Sequence, residues 1–390
     1  MTEREAYVAF NLTDKIGSVK VAELALAAGS VAAAWEAWPN KVARAGGEID
    51  VGAEFALAKK YGVEIVTPAD AAYPPRLLEQ PSHPLALYVK GDASLLSSPC
   101  VAMVGTRRST PYGLEQAFRI SRDLAARGWT VLSGLALGID AQSHRGALDA
   151  GGKTVGVIGS GLDRFYPEEN RELAREIVAK GGAVASEFPF GRPPDQQTFP
   201  QRNHVVAALA RGVVAVEAPH KSGTLITTSL ALDMGRVVMA VPGRVDARAS
   251  GGCNELIRAG ARLVRNAADV EEELSELIPK TGAGGRRPSG VPSGKGARGA
   301  RDAGGVRGDK KKAKENPATP QPHPAPLSAP FSIEEAMVMR EVNSEGVSMD
   351  VLIRRTGLPA DKVNALCMAL RLKGRIRFFP GNRVALPREA

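Results

Sequence analysis

Val101-Ala102-Met103-Val104-Gly105-Thr106-Arg107-Arg108-Ser109-Thr110 sets the pattern of the chain: a short apolar run breaks at once into a turn of glycine, hydroxyl and basic residues. The same junction recurs outward from it. Thr130 to Leu132 meets Ser133-Gly134, Thr154 to Ile158 meets Gly159-Ser160-Gly161, and Ala183 to Ala185 meets Ser186-Glu187. Further on, Val213 to Val216 meets a turn ending in Lys221-Ser222-Gly223-Thr224, and Val237 to Val241 meets Pro242-Gly243. Between the junctions lie helical spacings such as Leu114, Ala117, Phe118, Ser121, Leu124 and Ala125. Apolar runs alternating with amphipathic helices predict an α/β fold, a mostly parallel sheet with helices on both faces. Right-handed crossovers bring the turns after the parallel strands to one edge, which is the predicted binding site.

Glycine lets backbone approach a ligand closely, and free amides at a helix start favour an anion, so the expected ligand carries phosphate. Candidate contacts are Gly105, Thr106, Arg107, Ser133, Gly134, Gly159, Ser160, Gly161, Lys221, Ser222, Gly223 and Thr224. Arg107 can fork onto phosphate oxygens or close a structural ion pair. Thr110 is placed to cap a helix starting at Pro111. Asp140 reads as a helix N-cap or the partner of an arginine. The Gly159-Ser160-Gly161 turn begins like a dinucleotide fingerprint, but Arg164 stands where the third glycine should be, which argues against a nicotinamide or flavin cofactor. His220 has no acid or nucleophile beside it and reads as a turn residue.

From Glu187 to Asn203 the sequence predicts a long loop in which Phe188, Phe190 and Phe199 interleave with Arg192 and Arg202. Flat rings for bases and cations for the backbone suit single-stranded nucleic acid. The alternative is a ring plugging the core, which is preferred for Phe188, whereas Phe199, with Arg202 and Asn203 after it, is read as a stacking residue.

The chain has 390 residues and a net charge of +9, but residues 280–316 alone carry +8 and residues 1–98 carry −3, so the basic excess describes one segment rather than the folded parts. That segment, within a glycine- and proline-rich stretch at 280–330, predicts a disordered linker whose Lys310-Lys311-Lys312 cluster either keeps it solvated or adds DNA affinity. No run is long enough to span a membrane, and Met1-Thr2-Glu3-Arg4-Glu5 lacks the basic-then-apolar order of a leader, so a cytoplasmic protein is expected. Cys100, Cys253 and Cys367 are scattered and read as reduced thiols, and the five histidines form no ligand cluster, so neither metal nor cofactor is expected.

Residues 1–64 read as short helices and form the first domain, residues 65–279 the sheet domain. Pro84 to Gly91 is a proline-bounded strand placed at a sheet edge. Residues 331–390 read as three helices followed by the hairpin strands Arg375 to Phe379 and Arg383 to Leu386 around Pro380-Gly381-Asn382, a small winged-helix domain. Arg371, Lys373, Arg375, Arg377 and Arg383 follow one another with no acid between them through the end of its last helix and the wing, which gives candidate secondary contacts to double-stranded DNA or merely a solvated face.

In order along the chain, Gly105-Thr106-Arg107, Ser133-Gly134-Leu135-Ala136-Leu137-Gly138-Ile139-Asp140, Gly159-Ser160-Gly161-Leu162-Asp163 with Tyr166-Pro167, Phe199-Pro200-Gln201-Arg202-Asn203, Ser222-Gly223-Thr224-Leu225-Ile226-Thr227 and Val241-Pro242-Gly243 closely resemble the DNA processing protein A family, DprA or Smf. The resemblance implies an extended Rossmann domain between a small helical, SAM-like domain and a winged helix. It implies a non-catalytic, homodimeric protein that binds single-stranded DNA, protects it, and loads the RecA recombinase in natural transformation. By position, Arg107, Arg202 and the Gly159 to Gly161 turn would hold phosphates and Phe199 would meet bases. His204, Gln196 and Gln197 stand where the family often has basic residues, which removes phosphate contacts. The rival reading is a nucleotide hydrolase resembling the lysine decarboxylase-like phosphoribohydrolases, but Thr227 stands where those enzymes carry a glutamate.

Overall fold

A computed structural model describes residues 1–39, 41–43, 48–275, 332–343, 346–373, 375–379 and 383–386. The expected linker at 280–330 and the Pro380-Gly381-Asn382 turn lie outside them. The chain opens with α1 (Glu3–Leu12), α2 (Ser18–Ala28), α3 (Val31–Ala37) and α4 (Val51–Tyr61). Thr2 and Glu5 close a reciprocal capping box on α1, and Phe10 meets Trp35 edge-on at 5.1 Å in the small core of these helices.

The sheet begins with β1 (Glu64–Val66), the short α5 (Pro75–Leu78) and β2 (Leu87–Gly91). Strand-helix pairs follow: β3 (Cys100–Gly105) and α6 (Pro111–Ala126), β4 (Thr130–Ser133) and α7 (Ile139–Asp149), β5 (Thr154–Val157) and α8 (Arg171–Ala179), β6 (Ala183–Ser186) and α9 (Thr198–Leu209). The series continues with β7 (Gly212–Glu217) and α10 (Gly223–Asp233), β8 (Val237–Ala240) and α11 (Gly251–Arg258), then β9 (Arg262–Leu263) and α12 (Ala267–Ser275). Strand order is β1-β2-β6-β5-β4-β3-β7-β8-β9, parallel from β6 to β9, with β1 and β2 antiparallel at one side. The strand predicted at the edge, β2, lies one place in; β1 takes the edge itself, and Arg4 covers it by donating to Ile65 O at 2.6 Å.

Alternation within β3 assigns the helices to faces. Val101 and Met103 pack with Ile120 and Leu124 of α6, whereas Cys100, Ala102 and Val104 pack with Val205 and Leu209 of α9. Burying each such aliphatic side chain contributes about 1.5–3 kcal/mol, so the central strand anchors both layers. All three cysteines are free and buried, and burial raises their thiols, Cys100 to about 11 and Cys253 and Cys367 to about 12.

The second sheet is small. α13 (Ile333–Glu341), β10 (Val347–Ser348), α14 (Met349–Thr356), α15 (Ala360–Leu372), β11 (Arg377–Phe379) and β12 (Arg383–Ala385) surround a core that includes Val338, Leu352, Val363, Leu370 and Val384. Its strands run in the order β10-β12-β11, with Phe379 opposite Arg383 in the hairpin.

Candidate nucleic-acid interface

Strand order reverses between β3 and β7: the chain steps through β4, β5 and β6 on one side, then returns to lay β7, β8 and β9 on the other. The turns after β3 and β7 therefore diverge, and a cleft opens at their carboxyl ends. It measures 550 Å³ and is lined by Gly105, Thr106, Arg107 and Arg108 from the first turn, Gly134 from the second, Phe199, Arg202 and Asn203 from α9, and Ser222, Gly223 and Thr224 at the start of α10.

The first turn is built around Glu217, the last residue of β7. Its carbonyl accepts from Thr106 N at 2.7 Å, and its buried carboxylate accepts from Thr110 N at 2.8 Å and Thr110 Oγ1 at 2.7 Å. Thr110 Oγ1 in turn accepts from Gly113 N and caps α6, as its sequence predicts. The amino end of α6 is thus already occupied by a carboxylate, and the expectation that its amides face a ligand is corrected. What the turn presents instead is Arg107, exposed, with its guanidinium 4.9 Å from the Phe199 ring centroid. Among the described residues it closes no ion pair.

Arg202 is oriented differently from its expected role. It is 5% exposed, and its guanidinium donates to Gly134 O, just after β4, and to Val157 O, at the end of β5, while Nε reaches Asn203 Oδ1 at 3.2 Å. Gly134 has no Cβ because one would lie 2.6 Å from that guanidinium. Asp140 accompanies it inside, accepting from Gly134 N at 3.1 Å and Ala136 N at 3.3 Å. Burial raises the Asp140 carboxyl and lowers Arg202 to about 10, each opposing charge resisting the shift in the other. Asp140 sits inside α7 behind Gly138, so it is not the N-cap; the charge of Arg202 acts on it, while its hydrogen bonds come from the two backbone amides. Arg202 ties two turns together at the cleft floor.

The long loop is shorter than expected, because helix begins at Thr198. Asp195 Oδ1 accepts from Gln197 N and Thr198 N, fixing the first turn, where Pro200 is tolerated. Phe188 is buried, the core plug preferred for it. The third turn does not open a helix: Glu168–Asn170 forms a 3₁₀ turn before α8. Gly159 lines a 30 Å³ recess beside the cleft, but Gly161 donates to Arg192 O under the loop, and Ser160 is buried with its carbonyl accepting from Ser186 Oγ. Ser133 is also interior, donating to Met103 O at 2.6 Å. Lys221 is exposed in the left-handed region next to Ser222, outside the cleft lining. Sequence reasoning missed Tyr166, which shares the recess with Arg107 and Phe199; it is 33 positions from Phe199, and no local spacing links them. Thr227 lines the cleft where the rival hydrolases carry a carboxylate.

Comparison with known proteins matches this geometry. The family model described as DNA recombination-mediator protein A matches residues 64–275, and the DprA winged helix domain model matches residues 317–382. The chain belongs to the DNA recombination-mediator protein A family. Within it, Protein Smf of Escherichia coli strain K12 is 34% identical over 325 residues, 82% of this chain and 77% of that protein. The DNA processing protein DprA of Streptococcus pneumoniae is 41% identical over 205 residues, 53% of this chain and 72% of that one. The X-ray structure of DNA processing protein A from Streptococcus pneumoniae superposes with a TM-score of 0.59 at 34% identity, covering 70% of this chain and 98% of that chain. DNA processing protein A from Helicobacter pylori, whose structure was described for its single-stranded DNA binding mode, gives 0.50 at 30% identity over 55% of this chain and 98% of that chain.

In this DprA-family chain the winged helix is not the acid-free surface its local sequence suggests. Lys373 Nζ lies 2.7 Å from Glu335 Oε1 and 3.2 Å from Asp233 Oδ1 of α10, and Arg371 pairs with Glu255 of α11. Met368 of α15 is buried in the same cluster as the apolar face of α10 and α11. Asp233 and Glu255 come from the sheet domain and Glu335 from the first helix of the winged-helix domain, so a charge count over the last helix and wing misses them. Arg383 donates to Gly346 O and Arg377 to Leu386 O, bracing the wing. No single helix among the described residues is long and apolar enough to cross a membrane, and none of their His, Cys, Asp and Glu groupings could hold a metal ion.

Proposed function

We propose that the switch-point cleft binds single-stranded DNA without acting chemically on it. On this reading the protein is a cytoplasmic homodimer that protects incoming DNA and loads the RecA recombinase during natural transformation and recombination. The observation that carries it is the Arg107 guanidinium over the Phe199 ring at the cleft mouth, a cation and a base-sized surface in one place, backed by the hydroxyl-rich start of α10. The Helicobacter pylori relative, described for single-stranded DNA binding, supports the ligand class. Asp140 lines the cleft, but its carboxylate already accepts from the Gly134 and Ala136 amides, which supports a non-catalytic role. Arg375, Arg377 and Arg383 remain the proposed double-strand contacts of the wing; Arg371 and Lys373 are assigned to docking.

The test is fluorescence anisotropy of labelled single- and double-stranded DNA with the full chain at two salt concentrations, beside Arg107→Ala. Tight single-strand-selective binding is expected, weakened by Arg107→Ala, with the salt slope falling by about 0.7 for each phosphate that is no longer neutralised. No binding, or an unchanged slope in the variant, overturns the assignment of Arg107.

A further inference from the structure

Phe199 and Arg107 together form a wall between two spaces of very different size. Both line the 550 Å³ cleft on one side, and both line the 30 Å³ recess that Tyr166 and Leu137 close on the other. The Arg107 guanidinium covers the Phe199 ring, which is only half-buried, and the Tyr166 ring is tilted against Phe199 at 56° with centroids 5.8 Å apart. Tyr166 itself is 45% exposed and Leu137 38%, so the most open aromatic surface at this edge is Tyr166 rather than Phe199. The recess beneath measures 30 Å³, too little for a base, so with Arg107 and Phe199 as placed here a base lies across its rim.

We infer that Tyr166 is a second base-stacking platform. Successive nucleotides of one strand straddle the Arg107–Phe199 wall, one base in the cleft and the next across the recess on the Tyr166 ring and Leu137. Arg107, at the crest, faces the phosphate between them. Duplex DNA cannot take this path, because its bases are stacked on one another and cannot be parted by the wall; the arrangement therefore selects single strands. The inference rests on the proposed single-stranded DNA reading of the same site.

The experiment uses the full chain with labelled oligothymidylate. Tyr166→Ala is expected to weaken binding roughly 5- to 150-fold, the cost of removing one base–aromatic stack, with the salt slope unchanged because every phosphate stays neutralised as before. Tyr166→Phe keeps the ring and binds like wild type. Tyr166→Trp reports stacking directly: its added emission is quenched by the oligonucleotide beyond the change given by Trp35, Trp38 and Trp129 in the wild type. Wild-type affinity in Tyr166→Ala, or emission from Tyr166→Trp that DNA does not quench, overturns the platform. Where Tyr166→Ala lowers thermal stability, the quenching decides. A wild-type chain that binds no oligothymidylate defeats the single-stranded DNA reading instead, and is recognised as such before any variant is compared.

Discussion

The carboxylate of Glu217 holds Thr110 by two hydrogen bonds, 2.8 Å from its amide and 2.7 Å from its hydroxyl, across 107 positions of sequence. With Thr106 N bound to the Glu217 carbonyl, one residue of β7 secures both ends of the turn that carries Arg107. Glu217→Ala strands the Thr110 amide and is expected to cost about 1–3 kcal/mol in denaturant unfolding. It should also weaken single-stranded DNA binding by loosening Arg107. Were Glu217 merely an acid close to a phosphate path, its removal would tighten binding, so the sign of the change separates the two.

Arg202 is expected to act on stability more than on affinity. Arg202→Met leaves the buried Asp140 carboxylate with its two amides but no nearby cation, and takes the donor from the Gly134 and Val157 carbonyls; it should cost about 3–5 kcal/mol, with Arg202→Lys recovering part, because an ammonium can donate to both carbonyls that Nη1 serves but not also to Asn203 Oδ1. Asp140→Asn in the Arg202→Met background should recover part of the loss. A stable Arg202→Met that bound DNA with a reduced salt slope would put Arg202 on a phosphate.

The contrast between Thr110 and Arg202 marks how far sequence reads this fold. Thr110 before Pro111 carries its own local signal, and so do the strands, whose apolar runs end in glycine and hydroxyl residues. The switch-point cleft follows from them once crossovers are right-handed. Gln201-Arg202-Asn203 looks like an exposed helix start, and only the approach of Gly134, Val157 and Asp140 from distant segments buries Arg202. The winged-helix charges fail for the same reason: Asp233 and Glu255 lie over a hundred positions from the cations they meet. β1 is three residues long, too short for an alternating pattern to declare itself.

His144 makes stability depend on pH. It is fully buried, with Nδ1 2.7 Å from Thr154 Oγ1, whose hydroxyl donates to Val131 O, and Nε2 has no partner among the described residues. Burial lowers its pKa to about 3, so the unfolded chain takes up this proton near pH 6.5 while the folded chain does not. Its contribution is therefore fully present above pH 6.5 and lost as pH falls towards 3, at up to about 1.4 kcal/mol per pH unit. Unfolding free energies between pH 7 and 4 should show this component, and His144→Leu should remove it.

Met368 is the apolar part of the winged-helix contact with α10. Met368→Ala should cost about 2–5 kcal/mol at that contact. Hydrogen exchange should then quicken in the carboxyl half of α10 and in α15, with the β3 to β6 strands unchanged. Equal quickening across the whole sheet would mean that the contact is not separable from the main core.

The outer strand β9 has a bearing on self-association. A sheet margin with unpaired amides and carbonyls invites strand addition from another molecule, and proteins resist this with short edges and charge. Here that margin is two residues long, both side chains are exposed, and Arg262 is held by Glu273 at 3.1 Å. At the opposite margin Arg4 occupies the Ile65 carbonyl. Among the described residues neither margin of the nine-stranded sheet offers a run on which a second such sheet could register, so fibre-like stacking of this long sheet is opposed at both ends.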